Sequence, residues 1–416
     1  MFAYLRDVVG KGRRRNLRRD LAAAAVAALA IAASACGSSA QGGNSQGGVL
    51  LVGAMDDLTG AASLYGIADL RAAQFAATQI GDHGVLKIGS KTYRLKLDIV
   101  DAGSAPQAAT VALKKLQSDG VNYIFGGFAS ASMPAVLPVI NADPNLIVFP
   151  ESVLQGIANG STVFRVAAPV TYWDPTLEAY LKSQHYTRVA YISDETDTSY
   201  YASQSALQAK VQQGGGTTVA SEWFQSSDTD FSAQLTKIKA ADPDVIVVRG
   251  YPAALSGIQK EIIQLGIQAH IVWEAPAPSS TVKQVITPSL VNGVVNCRAS
   301  DMEAAVKSGN KAAAALNSYF LAKYHMQAPS TSDVSYNSVI AWAAAVQAAG
   351  SLDVGAVRSA LKKLQLSNIQ PQLAQTFIPQ SGGLLFDAKG QASVDAICTA
   401  WNGSAGWGPA LKIAQQ

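Results

Sequence analysis

Apolar residues between positions 49 and 299 form short runs that alternate with amphipathic stretches. The runs at Val49–Ala54, Val121–Phe125 and Val245–Val248 are rich in β-branched residues, which is typical of buried strands. Between such runs, apolar positions recur at helical spacing, as at residues 109, 112, 113 and 116. Strands that alternate with helices predict parallel sheets with helical crossovers, and therefore an α/β fold.

The residues after position 299 break this alternation. Three long helical patterns follow one another without strands, near 301–325, 332–349 and 353–365. Helices of this kind must cover a sheet that is already built, and the first run of βα units is the natural host. We therefore expect two lobes joined by three crossings of the chain, near residues 168, 299 and 376. The predicted division is 49–168 with 300–375 in the first lobe, and 169–299 with 376–416 in the second.

The segment from Val121 to Ser152 predicts a strand, a glycine turn at Gly126-Gly127, a helix and a second strand. Ser130 and Ser132 precede the apolar positions of the helix and fit a helix N-cap. Such a turn lies at the carboxyl end of a parallel strand, where open α/β sheets bind ligands. Free amides there suit a carboxylate or another polar acceptor, although a βα turn without a ligand is the alternative.

Charge is distributed unevenly along the 416 residues. Residues 1–35 contain seven Arg or Lys and two Asp, whereas the whole chain has a net charge of +3. The remainder is therefore slightly acidic, at −2. Phosphate binding needs a basic surface, so nucleic acid is not an expected partner.

The N-terminal segment predicts export. Residues 21–35 are apolar but too short to span a bilayer, and they follow an arginine-rich stretch. The small residues directly before Cys36 resemble the bacterial lipoprotein signal, in which the cysteine is lipidated and becomes the mature N-terminus. An ordinary cleaved signal peptide is the alternative, and Arg13-Arg14 also resembles a twin-arginine export signal. Residues 36–48 are rich in Gly, Ser, Asn and Gln and predict a flexible tether.

The sequence contains none of the common metal or catalytic motifs. Its four histidines are scattered, and no H-E-x-x-H, Cys-x-x-Cys, P-loop or dinucleotide fingerprint occurs. We therefore predict no enzyme activity, no metal and no cofactor. Cys297 and Cys398 are the cysteines that remain once Cys36 is lipidated. An even pair in an exported chain predicts a disulfide, with two buried thiols as the alternative.

Several stretches between residues 49 and 400 resemble one family in their order and spacing. They are Gly53–Gly66, the Asp101-to-Pro106 passage, and the Asp230-Phe231-Ser232 segment that continues to Pro243-Asp244. Together they resemble the leucine/isoleucine/valine-type solute-binding proteins of ABC transporters. The resemblance implies the type I periplasmic-binding-protein fold, with two Rossmann-like lobes, parallel sheets and three hinge crossovers.

The resemblance also implies a function and a site. An extracytoplasmic, lipid-anchored monomer would capture a small polar solute, foremost an amino acid, and deliver it to an ABC permease in the membrane. In amino-acid-binding relatives, a serine and the amides of the glycine turn meet the ligand carboxylate. An acid of the second lobe meets its ammonium group, which matches Glu274. The implied ligand contacts are Tyr65, Ser130, Ala131, Ser132, Glu151, Ser152, Tyr200 (with Ser199 and Tyr201 as alternatives), Tyr251 and Glu274.

Some residues depart from the family pattern and leave the solute open. Relatives carry small residues and a threonine where this chain has Glu151 and Val153, so a plain branched-chain amino acid is in doubt. The glycine turn also resembles the branch that binds urea and short amides, and Arg249 and Trp273 leave room for an aromatic or larger ligand. A sensor that presents its ligand to a receptor would have the same fold, and an amidase acting on such a solute is a further hypothesis.

Two residues just after the first predicted crossing need a separate interpretation. Trp173 and Asp174 could line a cleft between the lobes or begin a helix. For this pair we expect a helix cap rather than a place in the cleft.

Overall fold

The computed structural model describes residues 48–80, 85–299, 302–329, 331–365 and 383–413. The predicted signal peptide, the lipidated Cys36 and the tether up to residue 47 therefore lie outside the described residues. The described residues all belong to one compact unit, which begins at Ser45.

The first sheet has five strands in the order β2-β3-β1-β4-β5. Its central strands pair in parallel, whereas β2 pairs antiparallel with β3 across a two-residue turn. Three helices connect these strands. The elements are β1 (Val49–Asp56), α1 (Ser63–Gln79), β2 (Val85–Ile88), β3 (Lys91–Asp101), α2 (Pro106–Ser118), β4 (Tyr123–Phe125), α3 (Met133–Ala142) and β5 (Ile147–Phe149).

The second sheet has seven strands in the order β12-β11-β10-β9-β8-β6-β7. The strands from β6 to β10 are parallel, and β11 and β12 add antiparallel strands at one edge. The elements up to β10 are α4 (Asp174–Ser183), β6 (Arg188–Asp194), α5 (Thr198–Gln213), β7 (Thr217–Phe224), α6 (Ser232–Ala240), β8 (Val245–Arg249), α7 (Pro252–Gln264), β9 (His270–Trp273), α8 (Ser279–Val285) and β10 (Val295–Ala299). The last two strands are β11 (Ala396–Trp401) and β12 (Trp407–Ala410).

The late helices pack on the first sheet. Trp342 lies edge-on to Phe125 of β4, with 5.8 Å between ring centroids, and both are buried in one apolar core. The pattern predicted for 301–325 contains two helices, because Gly309 adopts a positive φ of 81° between them. These elements are α9 (Met302–Lys307), α10 (Lys311–Tyr324), α11 (Ser332–Ala349) and α12 (Val354–Leu361).

We call the first sheet with α1–α3 and α9–α12 the first lobe, and the second sheet with α4–α8 the second lobe. Leu385, Phe386 and Ala392 pack into the core of the first lobe before β11 joins the second sheet. This packing favours a last crossing after Ala392 over the predicted one near residue 376.

The α/β architecture is as predicted, but the sheets are not wholly parallel. The antiparallel strands are β2, at one edge of the first sheet, and β11 with β12, which extend one end of the second sheet; antiparallel neighbours need no helical crossover. Cys297 of β10 lies directly opposite Cys398 of β11, and the two form the predicted disulfide.

In the described part of the chain, no single helix is long and apolar enough to cross a membrane. The bent pair α11 and α12 would qualify together by length and composition alone.

Candidate functional site

The glycine turn after β4 has the conformation that the sequence predicted. Gly126 and Gly127 have φ angles of 100° and 95°, which other residues rarely adopt. A Cβ atom at Gly126 would lie 2.5 Å from Oδ1 of Asp56, so the close approach also requires glycine. The turn therefore brings the end of β4 against the end of β1.

The amides that follow this turn are not free for a ligand. Phe128 N and Ala129 N donate to Oδ2 of Asp57, at 3.0 Å and 2.8 Å. Ser104 N donates to the other carboxylate oxygen at 2.7 Å. Our expectation of free amides is wrong at Phe128 and Ala129, because a carboxylate from the neighbouring strand end occupies them.

Ser130, Ala131 and Ser132 form a short 3₁₀ turn before α3. Ser132 occupies the predicted N-cap position of α3, but neither serine makes a side-chain capping hydrogen bond. The physical reason is that Ser132 has helical backbone angles, whereas a capping residue is normally extended. Instead, the Ser152 hydroxyl donates to Ser130 Oγ at 3.1 Å, and both side chains are buried.

Two aromatic residues of the first lobe meet one of the second. Tyr65 of α1 stacks on Phe128 with 4.4 Å between ring centroids and lies 5.9 Å from the Tyr251 ring. Its hydroxyl donates to the carbonyl oxygen of Pro276, and Thr198 Oγ1 donates to the Ser130 carbonyl at 2.7 Å. The lobes are therefore in direct contact at the positions where the sequence predicted ligand contacts.

A cavity of about 50 Å³ lies beside these contacts, between the lobes. Phe128, Glu151 and Val153 line it from the first lobe, and Trp173 and Pro276 from the second. Of the residues that the sequence predicted for the site, Glu151 is the one that lines this cavity. Trp173 occupies the expected N-cap position of α4, without a side-chain capping bond, and it also lines the cavity.

Glu151 is a buried carboxylate among other carboxylates. It is 2% exposed, and Ser335 of α11 donates a hydrogen bond to its Oε1. Burial raises the pKa of Glu151 to about 7, and the Asp57 charge adds to the rise. Hydrogen bonds from Ser335 and from the protonated form of Asp69 oppose it. Burial also raises the pKa of Asp69 well above its usual range, with the charges of Glu151 and Asp56 adding to the effect.

Glu274 lies apart from the cavity wall. It is fully buried, with its Oε2 2.8 Å from Nε of Arg249. The same guanidinium donates to Gln204 at 2.8 Å and to Ser203 at 2.7 Å. Burial raises the pKa of Glu274, and the Arg249 charge opposes that rise. Because Arg249 already balances the charge of this carboxylate, a ligand ammonium is not required to neutralise it.

Of the three candidates Ser199, Tyr200 and Tyr201, it is Tyr200 that packs with residues of the cavity wall. Its ring is 2% exposed and packs with Val153 and Trp173, whereas Tyr201 is 64% exposed. The Ser199 hydroxyl donates to Asp197 at 2.6 Å.

Asp197 is an acid of the second lobe that sequence reasoning missed. It caps α5, accepting from Ser199 N, and it is 4% exposed. Burial raises the pKa of Asp197, and hydrogen bonds from Ser199 and from the Tyr251 side chain oppose that rise. The hydrogen bond with Tyr251 brings Asp197 to the aromatic contact between the lobes. Unlike Glu274, Asp197 makes no ion pair with an Arg or Lys among the described residues.

Some of the missed residues carry a signal in the sequence. Asp69 falls on the apolar face of α1, four residues after Tyr65, where a charged residue is unusual. Phe128 follows Gly127 directly. Asp57 has no such signal, because its partners are 71 and 72 residues away.

The described residues hold no group of three or more His, Cys, Asp or Glu that is arranged to bind a metal ion.

The buried carboxylates predict that stability falls as pH rises. Between the ordinary Glu pKa of 4.5 and the raised value of about 7, the folded state keeps a proton on Glu151 that the unfolded state has lost. We expect the free energy of unfolding to fall by roughly 3 kcal/mol over this range, at about 1.4 kcal/mol per pKa unit. Urea unfolding at a series of pH values measures it. Glu151→Gln should reduce the slope, and an equal slope in the variant would contradict the assignment to Glu151.

Sequence comparison places these features in a family. The periplasmic binding protein family matches residues 50–396. A Leu/Ile/Val-binding protein of Rhizobium johnstonii is 27% identical over 317 residues, which cover 75% of this chain and 83% of that protein. A leucine-, isoleucine-, valine-, threonine- and alanine-binding protein of Pseudomonas aeruginosa is 23% identical over 339 residues, covering 80% and 84%.

Structure comparison identifies the fold. A leucine-binding protein, LivK, of Thermotoga maritima matches with a TM-score of 0.72 at 22% identity, over 85% of this chain and 95% of that one. The two-sheet arrangement is thus the predicted type I periplasmic-binding-protein fold. With the family match across most of its length, this chain belongs to the periplasmic binding protein family and is a solute-binding protein, not an enzyme.

Proposed function

We propose that this chain is an extracytoplasmic binding protein that takes a small polar solute, foremost an amino acid, into the cleft between its lobes. A lipid on Cys36 would anchor it at the membrane, and an ABC importer would receive the solute. The chain would act as a monomer. The main support is the contact of Tyr65 with Pro276 and Tyr251, because these residues come from opposite lobes and Pro276 also lines the cavity between them. Closure of two lobes over a ligand is a hinge motion common to such proteins.

The polar groups near this contact suit the two ends of an amino acid. The hydroxyls of Ser130 and Ser152 are hydrogen-bonded to each other, and both can turn to donate to a carboxylate. For the ammonium group we favour Asp197 over the sequence-predicted Glu274. Asp197 lies at the aromatic contact, whereas Glu274 is paired with Arg249.

A solute screen tests the proposed function. We expect an amino acid to raise the melting temperature, since a ligand at 100 times its dissociation constant adds about 2.7 kcal/mol of stability. The panel should hold amino acids, urea, short amides and aromatic acids, measured by thermal shift and then by calorimetry. Urea and short amides belong in the panel because the Asp57 carboxylate already accepts from two backbone N–H groups of the glycine turn, which are then not free to bind a ligand carboxylate. If amides bind and no amino acid does, the amino-acid assignment is wrong.

Two variants separate the candidate ammonium acceptors. Asp197→Asn should weaken amino-acid binding by about tenfold or more, because a buried charge-assisted hydrogen bond is lost. Glu274→Gln should instead cost stability, on the order of 3 kcal/mol, by breaking a buried ion pair. Calorimetry on the folded variants and thermal unfolding measure the two effects. Weak binding by folded Glu274→Gln, with normal binding by Asp197→Asn, would restore the original assignment.

Replacement of Cys36 tests the anchor. Wild-type protein expressed in a bacterium should sediment with membranes, and Cys36→Ala should be released in soluble form. Ser38→Ala is the matched control, because it lies two residues after Cys36 and leaves all three cysteines in place. Membrane retention of Cys36→Ala would contradict lipid anchoring.

A further inference from the structure

The cavity between the lobes combines apolar walls with two polar groups that the protein satisfies poorly. Val153, Trp173 and Val334 contribute apolar surface. Among the described residues, the Asp69 carboxyl is the one hydrogen-bond partner available to Glu151 Oε2 and to Thr331 Oγ1. Thr331 and Glu151 are both more than nine-tenths buried and both line the cavity. Buried polar groups normally have full sets of partners, so this pair points to a bound group.

Three carboxyl groups lie close together behind the cavity wall. Asp69 and Asp56 lie close enough to Glu151 for their charges to interact. In the described part of the chain, no Lys or Arg lies within ion-pairing distance of these three carboxylates. Arg298 and Asp333 also line the cavity and contribute one charge of each sign. A carboxylate group buried without a cation is costly unless it is protonated or a ligand supplies the charge.

We propose that the cavity receives a cationic nitrogen of the solute, a primary ammonium or a guanidinium, with Glu151 as its acceptor. This inference rests on the proposed function, whose solute it narrows from amino acids in general to those with a basic side chain. The body of the solute would extend toward Ser130 and Ser152, and its distal cation would lie against Glu151. Thr331 would add a hydroxyl acceptor.

Size and surroundings agree with a small cation. A cavity of about 50 Å³ holds roughly three or four water-sized groups, enough for the end of a side chain but not for a whole solute. The rings of Phe128 and Trp173 line the same space, and aromatic faces attract cations. Before the solute binds, a proton shared by Asp69 and Glu151 would take the place of the cation.

Two matched pairs of solutes test this proposal: lysine against norleucine, and arginine against citrulline. Each pair differs in the distal charge while keeping the amino-acid end. Calorimetry at pH 8 should show the cationic member binding at least tenfold more tightly in one pair. Glu151→Gln should reduce that ratio to near one. Glu222→Gln is the control, because it removes the same charge from an ion pair between Glu222 of β7 and Lys237 of α6, and it should leave the ratio unchanged.

The affinity for the cation should also rise between pH 6 and pH 8, since Glu151 must lose its proton to receive it. Asp56, Asp57, Asp69, Asp333 and Arg298 are the charged groups around it. The wild-type ratios need no variant, so the test stands even if Glu151→Gln fails to fold. Binding of the neutral members with equal or higher affinity would overturn the cation inference and leave the proposed function intact. Failure of every solute to bind would instead overturn the proposed function.

Discussion

The bond between the Asp57 carboxylate and two backbone amides determines the geometry of the cleft. It ties the end of β1 to the glycine turn after β4, because one oxygen accepts from both Phe128 and Ala129. With the turn held there, Phe128 presents its ring to Tyr65, and the Tyr65 hydroxyl reaches Pro276 in the second lobe. Contact between the lobes thus depends on a hydrogen bond made within the first.

The same arrangement makes the first lobe strongly acidic on its cleft side. Asp56, Asp57, Asp69 and Glu151 are all buried, and no Lys or Arg among the described residues pairs with them. The second lobe also contains buried acids, and one of them, Glu274, has Arg249 beside it. Buried charges of one sign reduce stability, and proteins retain such groups mainly where a ligand or a proton uses them. The four acids of the first lobe therefore agree with the proposed binding of a cation in the cavity beside them.

Site residues whose contacts lie nearby in the sequence could be predicted, whereas those whose partners lie far along the chain could not. Glu151 was visible as a departure from the family pattern and Trp173 by its place after the first predicted crossing, but only folding shows that both line one cavity. Ser130 was correctly placed beside the glycine turn, yet its partner is Ser152 and not the helix amide that local reasoning predicts. Glu274 was assigned to the site from its position directly after β9. Its neighbours in the sequence do not reveal that the guanidinium of Arg249, on the adjacent strand β8, pairs with it.

The sequence by itself determined the alternation of strands and helices, the two-lobe α/β fold, the glycine turn and the cysteine pair. These features follow from spacing and residue type within short windows, where periodicity and backbone freedom act directly. The tertiary structure decided which groups of the cleft are available. The turn amides are occupied by Asp57, Glu274 is paired with Arg249, and Glu151 lines the cavity beside Asp69. Availability depends on partners dozens of residues away, and burial sets the strength of each charge only after the chain has folded.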